Sequence, residues 1–146
     1  MKWPKPDPDH LIVSSKQMEG LEKEILSSGL PVEALMEKVG QRMSSWLLSN
    51  PYLLEKGVVV LVGPGHNGGD GLVVARELYL AGITVSIWCP FSSLKPLTQT
   101  LLLHSEWLGV EQLNNYPDPS GNEIWIEALF GLGQNRPLPK AIADLL

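Results

Sequence analysis

The feature that most constrains the fold is a run of five glycines between Gly63 and Gly71, directly after the apolar, β-branched segment Val58–Val62. A helix-compatible segment follows from Leu72. Strand, glycine-rich loop and helix in this order are typical of a site where backbone N–H groups and a helix N-terminus face a ligand. A side chain there would hold the backbone away from the ligand, and we expect several of these glycines to adopt positive φ.

The loop only partly fits the fingerprint of dinucleotide-binding proteins. Gly63, Gly65 and Gly68 have the spacing G-x-G-x-x-G, which is a weak signal on its own. The fingerprint also needs an acidic residue near the end of the next strand, and the predicted strand 83–88 is followed by none. Asp70 adds a carboxylate at the predicted helix entrance, where it would repel a phosphate. An ordinary NAD-dependent dehydrogenase is therefore the weaker interpretation.

Three ordered stretches resemble one known family. Residues 63–71 read G-P-G-H-N-G-G-D-G and resemble the G-x-G-N-N-G-G-D-G signature of the YjeF N-terminal family, the NAD(P)H-hydrate epimerases. Residues 35–40, L-M-E-K-V-G, resemble the L-M-E-N-A-G helix of that family. Residues 127–133, E-A-L-F-G-L-G, resemble its D-A-L-F-G-x-G strand end. On these blocks the chain is identified as a member of the family.

The resemblance implies an isomerase of nicotinamide cofactor repair, which interconverts the R and S forms of the hydrated cofactors NADHX and NADPHX. It implies one K⁺ per subunit, bound by Asn67 and Glu127, and catalytic roles for Glu127 and Asp70. It also implies a homodimer and, in many members, fusion to a hydrate dehydratase. The implied substrate-binding residues are His66, Asn67, Gly68, Gly69, Asp70, Gly131, Leu132, Gly133, Gln134, Asn135, Arg136 and Pro137.

Several of these side chains also have a purely structural interpretation. The sole role of Asp70 could be to cap the N-terminus of the helix, where aspartate is favoured by about 1 kcal/mol over alanine. The sole role of Asn67 could be to stabilise a turn. Arg136 could lie in solvent instead of binding a cofactor phosphate. Glu127 at the end of a buried strand has little structural reason to be charged, which favours a functional role.

The chain departs from the family pattern at three positions. His66 stands where the family has asparagine, Glu127 where it has aspartate, and Lys38 where its helix motif has asparagine. These changes keep a second hypothesis open, a catalytically impaired domain that acts as a nucleotide-binding or dimerisation module. Retention of Asn67 together with the G-G-D that follows it favours the enzyme, because a scaffold has no chemical need for them.

Hydrophobic periodicity predicts two N-terminal helices before the glycine loop. The first opens at Ser14 or Ser15. The second follows Pro31, and we expect its apolar stripe to pack in the core and in a dimer. The members of this stripe are Leu35, Met36, Val39, Met43 and Trp46.

After the loop, strands and helices alternate, with a helix over 96–108 and a strand over 124–126 that ends at Glu127. The predicted fold is α/β, a three-layer Rossmann-like doubly wound sheet with two N-terminal helices, whose ligands bind beyond the carboxyl ends of the strands. We expect an extended, proline-rich arm over 1–13 and a domain over 14–146 that is incomplete at its C-terminal end.

Composition excludes several classes of partner. The net charge is −5 and no Lys/Arg run is present, so nothing predicts nucleic-acid binding. The longest uncharged run, 78–94, is broken by Gly82 and Pro90, which argues against a membrane span. The single cysteine, Cys89, fits a reducing compartment, and we expect a cytoplasmic protein.

Overall fold

The computed structural model describes residues 12–135 and 137–143, which form two compact units divided between Val32 and Glu33. Of the arm predicted over 1–13, all but residues 12 and 13 lie outside the described residues. Within the described part of the chain, no helix combines the length and the apolar character needed to cross a membrane.

The first unit contains the helix α1 (Ser15–Ser27). Its predicted start is confirmed, because Ser14 is the N-cap and forms a capping box with Gln17. The Ser14 hydroxyl accepts the Gln17 N–H at 3.3 Å, and the Gln17 side chain accepts the Ser14 N–H at 2.8 Å. The two reciprocal bonds satisfy donors that the first turn of a helix leaves without a partner.

The second unit is built on a parallel sheet, preceded by α2 (Val32–Leu48), which begins at the division. The elements that follow are a 3₁₀ turn (Pro51–Leu53), β1 (Val58–Val62), α3 (His66–Leu80), β2 (Val85–Trp88), α4 (Pro96–Leu108), β3 (Glu111–Gln112), β4 (Ile124–Ala128) and α5 (Lys140–Ala143).

The four described strands are all parallel and lie in the order β3-β2-β1-β4. In the central register, Val60 of β1 pairs with Ile87 of β2 and with Ile126 of β4. Every residue of β1 is buried, which explains why its sequence is continuously apolar instead of alternating. The predicted doubly wound α/β fold is confirmed.

Apolar side chains are buried on both faces of the sheet. One face carries Val60 and packs against Leu72 and Leu78 of α3. The other face carries Leu61 and packs with Ile142 of α5. Burial of one such side chain contributes about 1.5–3 kcal/mol, so these two layers hold the strand ends, and the loops that follow them, in a fixed arrangement.

Two strand boundaries differ from the sequence-based expectation, and one further strand was not predicted. β2 begins at Val85 and not at Ile83, because the Ile83 N–H closes the end of α3 by donating to the Leu78 carbonyl oxygen at 3.1 Å. β3 was not predicted, since two polar residues carry no strand pattern. β4 continues through Glu127 to Ala128, one pair beyond its predicted end.

Candidate active site

The glycine-rich segment does not form a loop as far as residue 71. Helix α3 begins at His66 with Gly65 as its N-cap, so the predicted start at Leu72 is wrong by six residues. Gly68, Gly69 and Gly71 lie inside the helix, where each costs about 1 kcal/mol relative to alanine. Packing must therefore provide the reason for these glycines.

Close approach, and not positive φ, explains them. The expectation of positive φ is wrong, since the described glycines with positive φ are Gly29, Gly57, Gly82 and Gly109. A Cβ at Gly63 would lie 1.6 Å from the Leu129 carbonyl oxygen. A Cβ at Gly71 would lie 2.5 Å from the Ala128 Cβ. The loop and α3 are thus pressed against the end of β4, with no room for side chains between them.

This packing brings two of the three family-like blocks together at the carboxyl edge of the sheet. Leu61 near the end of β1 is paired with Glu127, and the Gly63 N–H donates to the Ala128 carbonyl oxygen at 3.0 Å. Asn67, in the first turn of α3, lies beside Gly131, because a Cβ at Gly131 would be 3.4 Å from the Asn67 Cβ. Asn67 and the segment after Glu127 therefore share one corner of the sheet.

Glu127 has a structural role that the sequence did not reveal. Its Oε1 accepts the N–H groups of Leu129 at 2.7 Å and of Phe130 at 3.3 Å. The carboxylate therefore caps the turn that leaves β4, and β4 itself is only half-buried at most of its positions. Glu127 is exposed, and among the described residues its second oxygen, Oε2, takes no hydrogen bond. Within the described part of the chain, that oxygen is therefore able to contact a ligand.

Asp70 is the fifth residue of α3 and lies half-buried at the second turn. Asp70 is not the N-cap of this helix, because Gly65 occupies that position. His66 is the first residue of α3 and is exposed, and Asn67 follows it in half-buried surroundings. The first turn thus presents an imidazole, an amide and, one turn on, a carboxylate.

The remaining substrate-binding predictions fall on an exposed loop after β4. Gly131 and Gln134 close a turn through a bond from the Gln134 N–H to the Gly131 carbonyl oxygen at 3.1 Å. The other described members of the set, all exposed, are Leu132, Gly133, Asn135 and Pro137. Arg136 lies outside the described residues.

Two contacts that were not predicted from the sequence support the glycine segment from the β2 side. The buried hydroxyl of Thr98 donates to the Gly65 carbonyl oxygen at 2.8 Å, and the Lys95 N–H donates to the Pro64 carbonyl oxygen at 2.9 Å. No pattern in the sequence signals either contact, because a threonine in a helix is ordinary and a backbone donor has no residue signature.

An ion pair joins α2 to α3 one turn beyond the site. Arg76 donates to both carboxylate oxygens of Glu37, at 2.8 and 2.5 Å, and also bonds to Glu77. Hydrogen bonding from Arg76 lowers the pKa of Glu37, and the bond to Glu37 raises the pKa of Arg76. Glu37 belongs to the L-M-E motif, which the sequence analysis singled out, but the motif does not identify Arg76 as the partner of Glu37.

A cavity of about 530 Å³ lies elsewhere on the sheet. Its lining includes Val59, Ser86 and Glu111, which occupy one register row across β1, β2 and β3. It contains no residue of the glycine segment or of 127–137. The candidate site at the carboxyl edge of the sheet is therefore separate from this cavity.

The donors at this corner are hard oxygens, the amide of Asn67 and the carboxylate of Glu127, which suit a group 1 or group 2 cation better than a soft metal. Throughout residues 12–135 and 137–143, no group of three or more His, Cys, Asp and Glu side chains is arranged around a common metal position. Any cation bound here would complete its shell with backbone, substrate or water oxygens.

A parallel sheet with helices on both faces and a glycine-rich turn into a helix define a Rossmann-like α/β protein, and polar side chains at the carboxyl edge lie where such folds bind their ligands. The family profile described as "YjeF-related protein N-terminus" matches residues 32–146. The chain belongs to the YjeF N-terminal family, which confirms the identification made from the three sequence blocks.

Proteins similar in sequence to this chain are named as NAD(P)H-hydrate repair enzymes or NAD(P)H-hydrate epimerases. The chain is 42% identical over 137 residues to the bifunctional NAD(P)H-hydrate repair enzyme Nnr of Gloeobacter violaceus, covering 92% of this chain and 27% of that protein. It is 35% identical to the NAD(P)H-hydrate epimerase of Phaeosphaeria nodorum, covering 91% of this chain and 59% of that protein. The yeast crystal structure of ynu0, YNL200c, superposes with a TM-score of 0.80 at 28% identity, covering 92% of this chain and 63% of that one. The chain thus spans between about a quarter and two thirds of the length of these proteins.

Proposed function

We propose that this chain is the main part of an NAD(P)H-hydrate epimerase domain, which interconverts the R and S forms of NADHX and NADPHX. The observation that carries the proposal is the juxtaposition of Asn67 with Gly131 and the adjoining Glu127 at the carboxyl edge of the sheet. The names of the relatives point to the same substrate class.

The reaction requires reversible loss of the hydroxyl group at C6 of the hydrated nicotinamide ring. The C6–O bond breaks as the oxygen takes a proton, which releases water and leaves a positive charge on the ring. Water then adds to the opposite face of C6 and returns the proton. A carboxylic acid that donates and regains this proton, and a carboxylate near the cationic ring, are the groups such a site needs. We assign these roles to Asp70 and Glu127.

The substrate would lie over the first turn of α3 and the loop after β4. Residues 66–70 supply an imidazole, an amide and backbone N–H groups from one side, and residues 131–135 supply exposed backbone and amide groups from the other. Both segments leave the sheet at the same edge, where ligands of doubly wound folds bind. The close packing of the glycine segment on the end of β4 requires glycine at position 63, where a Cβ would lie 1.6 Å from the Leu129 carbonyl oxygen.

For the cation, we propose one K⁺ per subunit held by the Asn67 Oδ1 and the Oε2 of Glu127. The residues present fit this ion, because both donors are hard oxygens, Asn67 in the first turn of α3 and Glu127 near the end of β4, and Oε1 is already used by the turn. A bound K⁺ would supply positive charge that fixes an oxygen of the substrate beside the ring.

For partners, we propose a homodimer in the cytoplasm and a hydrate dehydratase as the second activity of the whole protein. Three exposed apolar side chains of α2, Val39, Met43 and Trp46, follow at helical spacing and support a dimer surface. The designation "bifunctional" of one relative supports the second activity. The half-buried free thiol of Cys89 is compatible with a reducing compartment.

The decisive test is conversion of (R)-NADPHX to (S)-NADPHX by the full-length protein, followed by chromatography with and without K⁺. We expect conversion above the spontaneous rate, and faster with K⁺ than with an equal concentration of a large organic cation. Failure of the folded protein to convert either NADHX or NADPHX would refute the proposal and would favour a catalytically impaired binding module. A catalytic rate that is independent of K⁺ would refute only the cation assignment.

A further inference from the structure

Two consecutive carbonyl oxygens of the glycine segment are held by the first turn of α4. The Pro64 oxygen accepts the Lys95 N–H at 2.9 Å, and the Gly65 oxygen accepts the Thr98 hydroxyl at 2.8 Å. The side chain of Thr98 has an exposed fraction of 0%. A buried hydroxyl without a partner costs free energy, so the bond from Thr98 to the Gly65 carbonyl oxygen stabilises this packing.

These bonds fix the direction of two peptide planes. The described peptide bonds are all trans, so the C=O and N–H of one planar unit point in opposite directions. The unit that contains the Pro64 carbonyl also contains the Gly65 N–H, and the next unit pairs the Gly65 carbonyl with the His66 N–H. Since both carbonyls point at the start of α4, both N–H groups are directed away from it.

The opposite side of the segment is the side of the candidate site. α4 follows β2, and β2 and β4 flank β1 on opposite sides in the order β3-β2-β1-β4. Glu127 and Gly131 follow from β4, and Gly131 lies beside Asn67. Peptide N–H groups that turn away from α4 therefore turn towards the side where those residues lie.

We propose that Thr98 is a positioning residue of this site, which orients the Gly65–His66 peptide so that its N–H is presented to the substrate. Identification of that substrate rests on the function proposed above. The Gly65 oxygen also accepts the Gly69 N–H, but at the longer distance of 3.3 Å. Loss of the Thr98 bond would therefore leave the helix start in place while freeing the peptide plane to tilt.

Three variants of the full-length protein test this role. T98V removes the hydroxyl at nearly constant volume, and T98S keeps the hydroxyl while removing a methyl group. T100V is the matched control, because the Thr100 hydroxyl donates to the Pro96 carbonyl in the same helix but is exposed. The measurements are KM and kcat for NADPHX epimerisation, and amide hydrogen exchange of the segment 64–70.

We expect T98V to raise KM about tenfold with a smaller change in kcat, which is the effect of about 1.4 kcal/mol of lost binding. Exchange of the amides in 64–70 should become faster in T98V, while T98S and T100V stay close to the wild type in both measurements. Wild-type KM together with wild-type exchange in T98V would overturn the proposal. Equal losses in T98V and T100V would also overturn it, because they would indicate general weakening of α4.

The two proposals fail in distinguishable ways. If the wild-type protein catalyses no epimerisation, the proposed function fails, and hydrogen exchange alone decides the role of Thr98. Faster exchange confined to 64–70 in T98V would still support the positioning role. Unchanged exchange there would refute it.

Discussion

At the scale of the residue, Glu127 combines a structural and a proposed chemical role in one carboxylate. Oε1 caps the turn after β4 through the N–H groups of Leu129 and Phe130, and Oε2 takes no bond from the described residues. Because glutamine can also accept those two bonds, E127Q should keep the turn while it removes the negative charge.

We therefore expect E127Q to lose about 100-fold in epimerase rate and to lose its dependence on K⁺, with the free energy of unfolding lowered by no more than about 1 kcal/mol. Steady-state kinetics at several K⁺ concentrations and urea denaturation measure the two effects. E123Q is the control, since Glu123 is an exposed carboxylate just before the other end of β4. A wild-type rate in E127Q would remove Glu127 from the mechanism.

The sequence predicted the edge of the sheet that carries the motifs better than it predicted the conformation of the glycines there. Asn67 follows β1 in the chain and Glu127 lies near the end of the adjacent strand β4, as the order of motifs implied. The glycines were misread, because positive φ and close approach both select glycine and only the neighbours distinguish them. The neighbour of Gly63 is the Leu129 carbonyl, which is 66 residues away in the sequence and was not identifiable from the pattern.

At the scale of the element, α2 shows why an apolar stripe is not always the buried face. Its buried residues are Met36, Gly40, Ser44 and Leu47, two of which are small. Val39, Met43 and Trp46 of the predicted stripe are exposed instead. Small residues allow α2 to approach α3 closely, and hydrophobic periodicity does not register glycine or serine as core positions. Met36 of the predicted stripe is in the core, as expected, whereas core packing of Val39, Met43 and Trp46 was wrongly predicted.

The closeness of α2 and α3 predicts a steric effect at Gly40. A Cβ there would lie 2.3 Å from the Val73 Cγ1 and 2.6 Å from its Cβ, both on a buried, β-branched side chain that has little freedom to move. We expect G40A to lower the free energy of unfolding by about 1–3 kcal/mol, as measured by urea denaturation. G20A in α1 is the matched control, because no atom lies within 4 Å of its added Cβ and no positive φ opposes it.

In G20A the helix propensity of alanine should leave stability unchanged or raise it by up to about 1 kcal/mol. If G40A were as stable as the wild type, the close packing of α2 on α3 described here would be wrong.

The Glu37–Arg76 pair predicts a pH dependence between the same two helices. Hydrogen bonding to Arg76 lowers the pKa of Glu37 in the folded state below its ordinary value of 4.5. A lowered carboxylate pKa contributes stability above the unfolded pKa, and this contribution is lost as pH falls through the folded pKa. With 37% of the Glu37 side chain exposed, solvent screening keeps the contribution to about 1 kcal/mol or less.

A double-mutant cycle of E37Q and R76Q isolates this interaction. The coupling energy from urea denaturation should be favourable at pH 7 and smaller at pH 3, because protonation of Glu37 as the pH falls weakens its interaction with Arg76. A coupling energy of the same size at both pH values would show that the carboxylate charge is not what joins α2 to α3.

At the scale of the whole molecule, alternation of strands and helices was sufficient to predict the sheet and the edge that carries the site. β1 is buried and the glycine segment follows it directly in the chain, so the position of that segment at the end of β1 could be predicted without knowledge of distant contacts. The two-residue strand β3 was not predicted because Glu111 and Gln112 are polar, and only their pairing with Ser86 and Ile87 of β2 identifies them as a strand. Long-range contacts, not local pattern, determine such edge strands.

The exposed stripe of α2 gives the last prediction, which concerns assembly. Trp46 is 61% exposed and belongs to the stripe, whereas Trp107 of α4 is 79% exposed, lies outside it and stacks on His104. Since both tryptophans are exposed in the described chain, glutamate at either position should be tolerated by the fold.

If the stripe forms a dimer interface, W46E would bury a charge there, at a cost of several kcal/mol, and W107E would not. Light scattering after gel filtration should therefore give a monomer for W46E and a dimer for the wild type and W107E. A monomeric wild type, or a dimeric W46E, would refute this interface, and dissociation by W107E instead would move the interface to α4.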